Sequence, residues 1–225
     1  GAAAEYRRAL ELNPNSPQAN HWYSSALHAL GRPDEAIAHV ERAVAIAPLS
    51  VMENAGLAWS LISARRYAEA RERLQRVIEL DPDFAIAHWL LGESYAFDNR
   101  VSESLSYYQR AVELSGESLF FVPSLGWAYG LNGDAIRARE ILAELSERSN
   151  REYVSPMAFA IVYSGLGETD RALDFLEQAF EERNGTMIAL GYPFYDNLRA
   201  EPRFIALVEK VGVAAQSQNG RGSER

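Results

Sequence analysis

Residues 89–111 read WLLGESYAFDNRVSESLSYYQRA. Leu91, Gly92 and Tyr95 fall within about one helical turn, and Ser104, Tyr108 and Ala111 follow at intervals of four and three, the spacing of a buried stripe on a helix. The turn formers Asp98 and Asn99 stand between the two runs, so the stretch predicts a helical hairpin. Shifting by thirty-four residues in either direction returns the same pattern. Gly92 aligns with Ser24, Ala58, Gly126 and Ala160, and Ser104 with Ala36, Ala70, Ala138 and Ala172. Leu91 aligns with Tyr23, Leu57, Leu125 and Phe159, and Tyr108 with Val40, Leu74, Leu142 and Leu176. Pro14, Pro48 and Pro82 punctuate the same period. Five units without an insertion mark a solenoid, whose units bury their faces only by stacking on neighbours.

The two small-residue columns fall where the helices of a hairpin cross, because a larger side chain would push the axes apart. Gly126→Leu is accordingly expected to cost roughly 1–3 kcal/mol through overpacking. Most connections carry breakers or turn formers: Gly31 with Pro33, Asn132-Gly133-Asp134, and Gly167 through Asp170. The second unit has only Arg65 and Arg66 there.

The pattern resembles the tetratricopeptide repeat, carried by Leu91, Gly92, Tyr95, Ser104, Tyr108 and Ala111 in the third unit. Leu125, Gly126, Tyr129, Ala138 and Leu142 carry it in the fourth, and Phe159, Ala160, Tyr163, Ala172, Leu176 and Ala179 in the fifth. Gly116 and Asn150 replace the closing Pro, and Val77 and Leu145 stand where a small residue is usual. The resemblance covers about Ala2 to Arg183 and implies an all-α, right-handed α-solenoid. The expected divisions are repeats at 17–50, 51–84, 85–118, 119–152 and 153–186, a C-terminal cap at 187–213 and a disordered tail at 214–225. Ala2, Tyr6, Ala9 and Pro14 match the second helix of a unit, so 1–16 reads as half of a truncated repeat in a segment cut from a longer chain. Tyr192-Pro193-Phe194-Tyr195, Leu198, Phe204, Leu207 and Val208 supply apolar side chains for a cap over the open end of the stack. From Arg151 onward the chain also resembles the closing segment of repeat arrays in bacterial multidomain signalling proteins, where they follow kinase, cyclase or DNA-binding domains.

In the family, the first helices of the hairpins line a concave face. The resemblance places Trp22, Met52, Trp59, Ile62, Trp89, Glu93, Phe97, Phe120, Trp127, Met157 and Ile161 there, with His28 and Ser25. All four tryptophans fall in first helices. An aromatic trough of this kind suits an amphipathic helix or an extended apolar segment of a partner protein, anchored by Trp59, Trp89, Phe120 and Trp127. A first-helix Trp can equally pack against the preceding unit and be core. Truncation separates the two, since a core Trp→Ala costs about 3–5 kcal/mol and an exposed one little.

Charge narrows the partner. The net charge is −9, the chain has one lysine, Lys210, and the first helices hold no Lys or Arg before their closing turns. Such a face would repel phosphate, which argues against the nucleic acid that similar pentatricopeptide arrays read. It also lacks the cationic clamp with which tetratricopeptide co-chaperones hold a carboxyl terminus; His21, Ser25, Gly56, Ile86 and Leu90 stand at the matching positions.

No catalytic constellation emerges, and a non-enzyme without metal or cofactor is expected. His21 and His28 are seven residues apart on one helix, about 10 Å along the axis at 1.5 Å per residue, too far to share a metal at roughly 2 Å per ligand. The absence of cysteine excludes disulfides and thiol chemistry. No apolar run approaches the ~20 residues that span a bilayer, so no membrane insertion is expected, and the cytoplasm is the favoured location. Regulation is the alternative role: the array packs against an upstream kinase, cyclase or transcription-factor domain of the same chain, or forms a homodimer.

Overall fold

The computed structural model describes residues 2–212. The expected tail at 214–225 lies outside the described residues. Helix α1 (Ala2–Leu12) precedes five antiparallel hairpins. These are α2 (Pro17–Ala29) with α3 (Pro33–Ile46), α4 (Val51–Ser63) with α5 (Tyr67–Leu80), and α6 (Ala85–Ala96) with α7 (Val101–Leu114). Then come α8 (Val122–Leu131) with α9 (Ala135–Ser149), and α10 (Pro156–Gly165) with α11 (Thr169–Glu181). Two 3-10 segments, Gly185–Gly191 and Pro193–Leu198, lead to α12 (Pro202–Val211). Each helix packs on its sequence neighbours, and α2 also stacks on α4, α4 on α6 and α8 on α10, which makes the all-α solenoid.

Every hairpin turns through the same backbone device. Gly31, Arg65, Asn99, Gly133 and Gly167 all have φ between 60° and 82° and recur at the repeat period. At each, the next N–H bonds back onto the ending helix; Arg66 donates to Leu61 O at 2.8 Å and Arg100 to Tyr95 O at 2.9 Å. The second turn therefore forms without glycine, although a left-handed conformation at Arg65 disfavours its backbone by roughly 1–2 kcal/mol.

The joints between hairpins are polar at the start of the array. Asn20 donates to the carbonyls of Pro14 (3.2 Å) and Ser16 (3.0 Å), and Asn54 to those of Pro48 and Ser50 (both 2.9 Å). His88 donates to Pro82 O in the third unit. Ser16 and Ser50 cap α2 and α4 through their hydroxyls.

The small-residue columns do lie at helix crossings. A Cβ on Gly92 would stand 2.8 Å from the Tyr108 ring, and one on Gly126 2.8 Å from Val162 and 3.0 Å from Ile141. Between α8 and α10 the approach is closer still. A Cβ on Gly130 would stand 2.6 Å from the Gly165 carbonyl carbon, and one on Gly165 would overlap the Trp127 backbone.

The apolar interior falls into two groups. One spans α3 to α6 around Leu57, Ile62, Leu74 and Leu90; the other spans α6 to α12 around Tyr108, Trp127, Leu145, Leu176 and Tyr195. Trp89, Phe97 and Tyr192 touch both. The segment after α11 has two destinations. Helix α12 covers the open end, burying Phe204 and Leu207 while Arg203 grips Asp174 (2.7 Å) and Glu177 (2.8 Å) on α11. Residues 191–198 instead run back along the concave side of the array, a path the repeat pattern did not foretell.

Candidate functional site

Counting by the period, Ser25, Trp59, Glu93, Trp127 and Ile161 occupy one column on the successive first helices. Tyr192 lies across its centre. Its ring stacks on Trp59 at 6.3 Å and meets Phe97 edge-on at 5.5 Å, while its hydroxyl donates to Glu93 at 2.6 Å. Phe194 follows two residues on, edge-on to Phe97 (5.1 Å) and Trp127 (4.9 Å). Pro193 starts the second 3-10 segment, where its fixed φ suits the turn. Asn197 and the Phe194 carbonyl are tied to Ser164 on α10, at 2.8 and 2.7 Å. At the far end, Asp196 accepts two bonds from Arg65 (2.8 and 3.1 Å) and one from Arg199 (2.7 Å), while Arg199 also donates to Gly191 O. The chain thus straps its own concave face.

The expected groove residues separate into two sets. Trp22 (55% exposed), Met52 and Phe120 (61%) stand in the open, with Phe120 in the turn ahead of α8. Trp59, Trp89, Phe97 and Ile161 are half-buried. Trp89 donates to Ser124 at 2.9 Å and meets Phe120 at 5.0 Å. The placement of the others on an accessible groove is corrected. Ile62, Glu93 and Trp127 are buried, and Met157 is buried except where it edges the remaining cleft. Ile62 is enclosed in the first apolar group; Trp127 is sealed by the glycine-mediated approach of α10 and by Phe194.

Glu93 is a carboxylate position without solvent. One oxygen takes the Tyr192 hydroxyl and the other has no partner among the described residues. Burial pushes its pKa well above the usual carboxylate range, against the opposing pull of the Tyr192 hydrogen bond. Burial likewise raises Tyr192, helped by the neighbouring carboxylate. His28, one turn beyond Ser25 on α2, packs edge-on to Trp59 at 5.0 Å, and desolvation lowers its imidazole pKa to about 4.

The strap, Glu93's burial and the Arg65–Asp196 contact were missed by periodicity, because they join residues 99 and 131 positions apart through a segment outside the period. The off-period run Tyr192-Pro193-Phe194-Tyr195 was the only sign: four bulky residues that no helical stripe explains.

Stacked helical hairpins with a first-helix concave face define a repeat scaffold. A tetratricopeptide repeat model matches residues 1–51 and 56–118, just over half of the chain, which therefore belongs to the tetratricopeptide repeat family. Arrays of this family are protein-interaction scaffolds. Among solved structures, TTC0263, a thermophilic TPR protein of Thermus thermophilus, is similar at 20% identity with a TM-score of 0.63. That match covers 86% of this chain and all of the other. MamA from Desulfovibrio magneticus RS-1, solved from residue 41 to its end, is similar at 23% identity and a TM-score of 0.54, over 67% of this chain and 86% of that solved chain. At these identities the likeness concerns the fold. No curated protein matches the chain in sequence. No helix among the described residues is long and apolar enough to cross a membrane.

Proposed function

We propose that the chain is a non-catalytic protein-binding scaffold whose concave trough takes an apolar helix or extended segment of a partner protein. The observation that carries this reading is the strap: the trough already accommodates a Tyr-Pro-Phe segment, by aromatic contact and one hydrogen bond. The partner lies along the flank that the strap leaves open, where Trp22, Met52 and Phe120 are exposed and Trp89 is half-buried. Exposed aromatics and Met are favoured anchors of such interfaces. The lack of basic side chains on these helices favours a neutral or apolar segment over an acidic one.

The test compares the native chain with a Trp22→Ala, Phe120→Ala variant, both immobilised and both checked for native helicity. A protein of the source organism held by the first and released by the folded second is the expected outcome. Equal retention, or none by either, would move the function off this face.

A further inference from the structure

The strap does not fill the trough. Beside it remains a cavity of about 470 Å³, inside the range of roughly 300–1,000 Å³ typical of small-molecule sites. Trp59, Trp89, Phe120, Met157, Ile161 and Tyr192 give it apolar and aromatic walls, and among the described residues no Asp, Glu, Lys or Arg lines it. Two of the walls are fixed by their contacts: Tyr192 is pinned by Glu93 and Trp59, and Trp89 by Ser124. Trp22 and Met52, the most N-terminal exposed anchors of the partner surface, do not border this cavity.

Two polar side chains in that wall are unfinished. His28 is 7% exposed and Ser63 5% exposed, yet neither imidazole nitrogen nor the Ser63 hydroxyl has a hydrogen-bond partner among the described residues. Buried polar groups are nearly always paired, and leaving them unpaired is costly. Both residues line the one apolar cavity with their polar atoms just behind its surface, so a small shift of the side chains lets a ligand supply the missing partner. The low imidazole pKa keeps His28 neutral near pH 7, with one nitrogen donating and the other accepting.

We propose that this cavity binds a small, neutral, ring-bearing molecule with one hydrogen-bonding group, its ring against Trp59, Trp89 and Phe120 and its polar group on His28 and Ser63. A charged ligand finds no counter-charge here, and a hydrocarbon leaves His28 and Ser63 unpaired. Sites of this kind discriminate strongly against an analogue lacking the hydroxyl they pair with.

The probes are 4-ethylphenol, ethylbenzene and 4-ethylbenzoate, titrated into the full chain at pH 7 with tryptophan fluorescence and histidine ¹⁵N NMR. The expected result is saturable 4-ethylphenol binding, at least about tenfold tighter than either analogue, with the His28 nitrogen resonances shifting on saturation. In Ser63→Ala and His28→Phe the preference for the phenol is expected to fall to about threefold or less while ethylbenzene binding persists. If His28→Phe does not fold, the His28 shift in the native chain decides. Absence of saturable 4-ethylphenol binding, equal affinity for ethylbenzene or the benzoate, or an unmoved His28 resonance would overturn the proposal. Such a failure leaves the partner-binding surface at Trp22 and Met52 untouched.

Discussion

The two ends of the array solve the same packing problem in different ways. In α1 and the first two units, α2 to α5, neighbouring elements are joined by polar side chains: Asn20 and Asn54 stitch the loops to the helices, and Ser24 and Ser60 pair at 3.2 Å. In the last two, α8 to α11, the first helices touch backbone to backbone through Gly130 and Gly165, and the strap and α12 close over them. Among the tryptophans, Trp22 at the first end stands in the open and Trp127 at the second is hidden. One column of the repeat shows the consequence, with Trp59 half-buried at the strap's edge and Trp127, two periods on, 5% exposed. The repeat period sets which way a side chain points, and a non-repeated segment decides whether it meets solvent.

Truncating one tryptophan at each end gives the largest effect. Trp127→Ala is expected to lower stability by about 3–5 kcal/mol, because the ring is enclosed by Phe97 and Phe194. Trp22→Ala should change it by less than about 0.5 kcal/mol. Urea unfolding followed by circular dichroism reads both, and equal losses would erase the distinction between the two ends. Next in size is Gly165→Ala. One methyl against the Trp127 backbone is expected to cost about 1–3 kcal/mol, whereas alanine at Gly133, where no atom lies within 4 Å, meets only the strain of its positive φ.

Two buried titratable groups at the strap oppose one another. Glu93 has a raised pKa in the folded chain, so between the ordinary carboxylate pKa and that raised value the folded state binds more protons than the unfolded one. Its effect is therefore to make stability fall as pH rises above about 4.5. His28 has a lowered pKa, so the unfolded chain binds more protons between pH 6.5 and about 4, and stability falls as pH drops through that window. The full His28 contribution is about 3 kcal/mol. No pH suits both. Glu93→Gln keeps an acceptor for Tyr192 and removes the charge; it should raise stability at pH 8 by about 1–3 kcal/mol and flatten the decline above pH 5. A parallel, merely shifted profile would mean that Glu93 is not the group responsible.

Most of the architecture was legible because it repeats. Leu91, Gly92, Ser104 and Tyr108 carry their burial in their spacing, and each column states it five times. What was not legible is unique to one place. Glu93 shares a column with two tryptophans and reads as a polar groove residue; its burial depends on Tyr192, 99 residues away. Trp127 and Trp59 are equivalent by period and separated only by Phe194 and by glycines whose role needs the neighbouring helix. His28 and Ser63 carry no motif at all, since an unpaired buried nitrogen exists only once the surrounding walls are placed.

The second turn gives the smallest and most discriminating test of how strap and repeats are joined. Arg65 holds a left-handed conformation that glycine adopts freely, so Arg65→Gly relieves roughly 1 kcal/mol of backbone cost. It also removes the contact of one guanidinium nitrogen with both Asp196 oxygens, a part-exposed pair worth about 0–1 kcal/mol. At low salt the two nearly cancel, and unfolding midpoints of variant and native chain should agree within about 0.5 kcal/mol. In 1 M salt the Debye length shrinks to about 3 Å; the ion pair weakens and the backbone gain remains. The variant should then become the more stable protein by up to about 1 kcal/mol. Asn99→Gly at the equivalent turn provides the control: Asn tolerates the left-handed region and makes no such contact with the strap, so its effect should be small and independent of salt. If Arg65→Gly is equally indifferent to salt, the ion pair does not help to hold the strap, which then rests on Tyr192, Phe194 and the Ser164–Asn197 bonds.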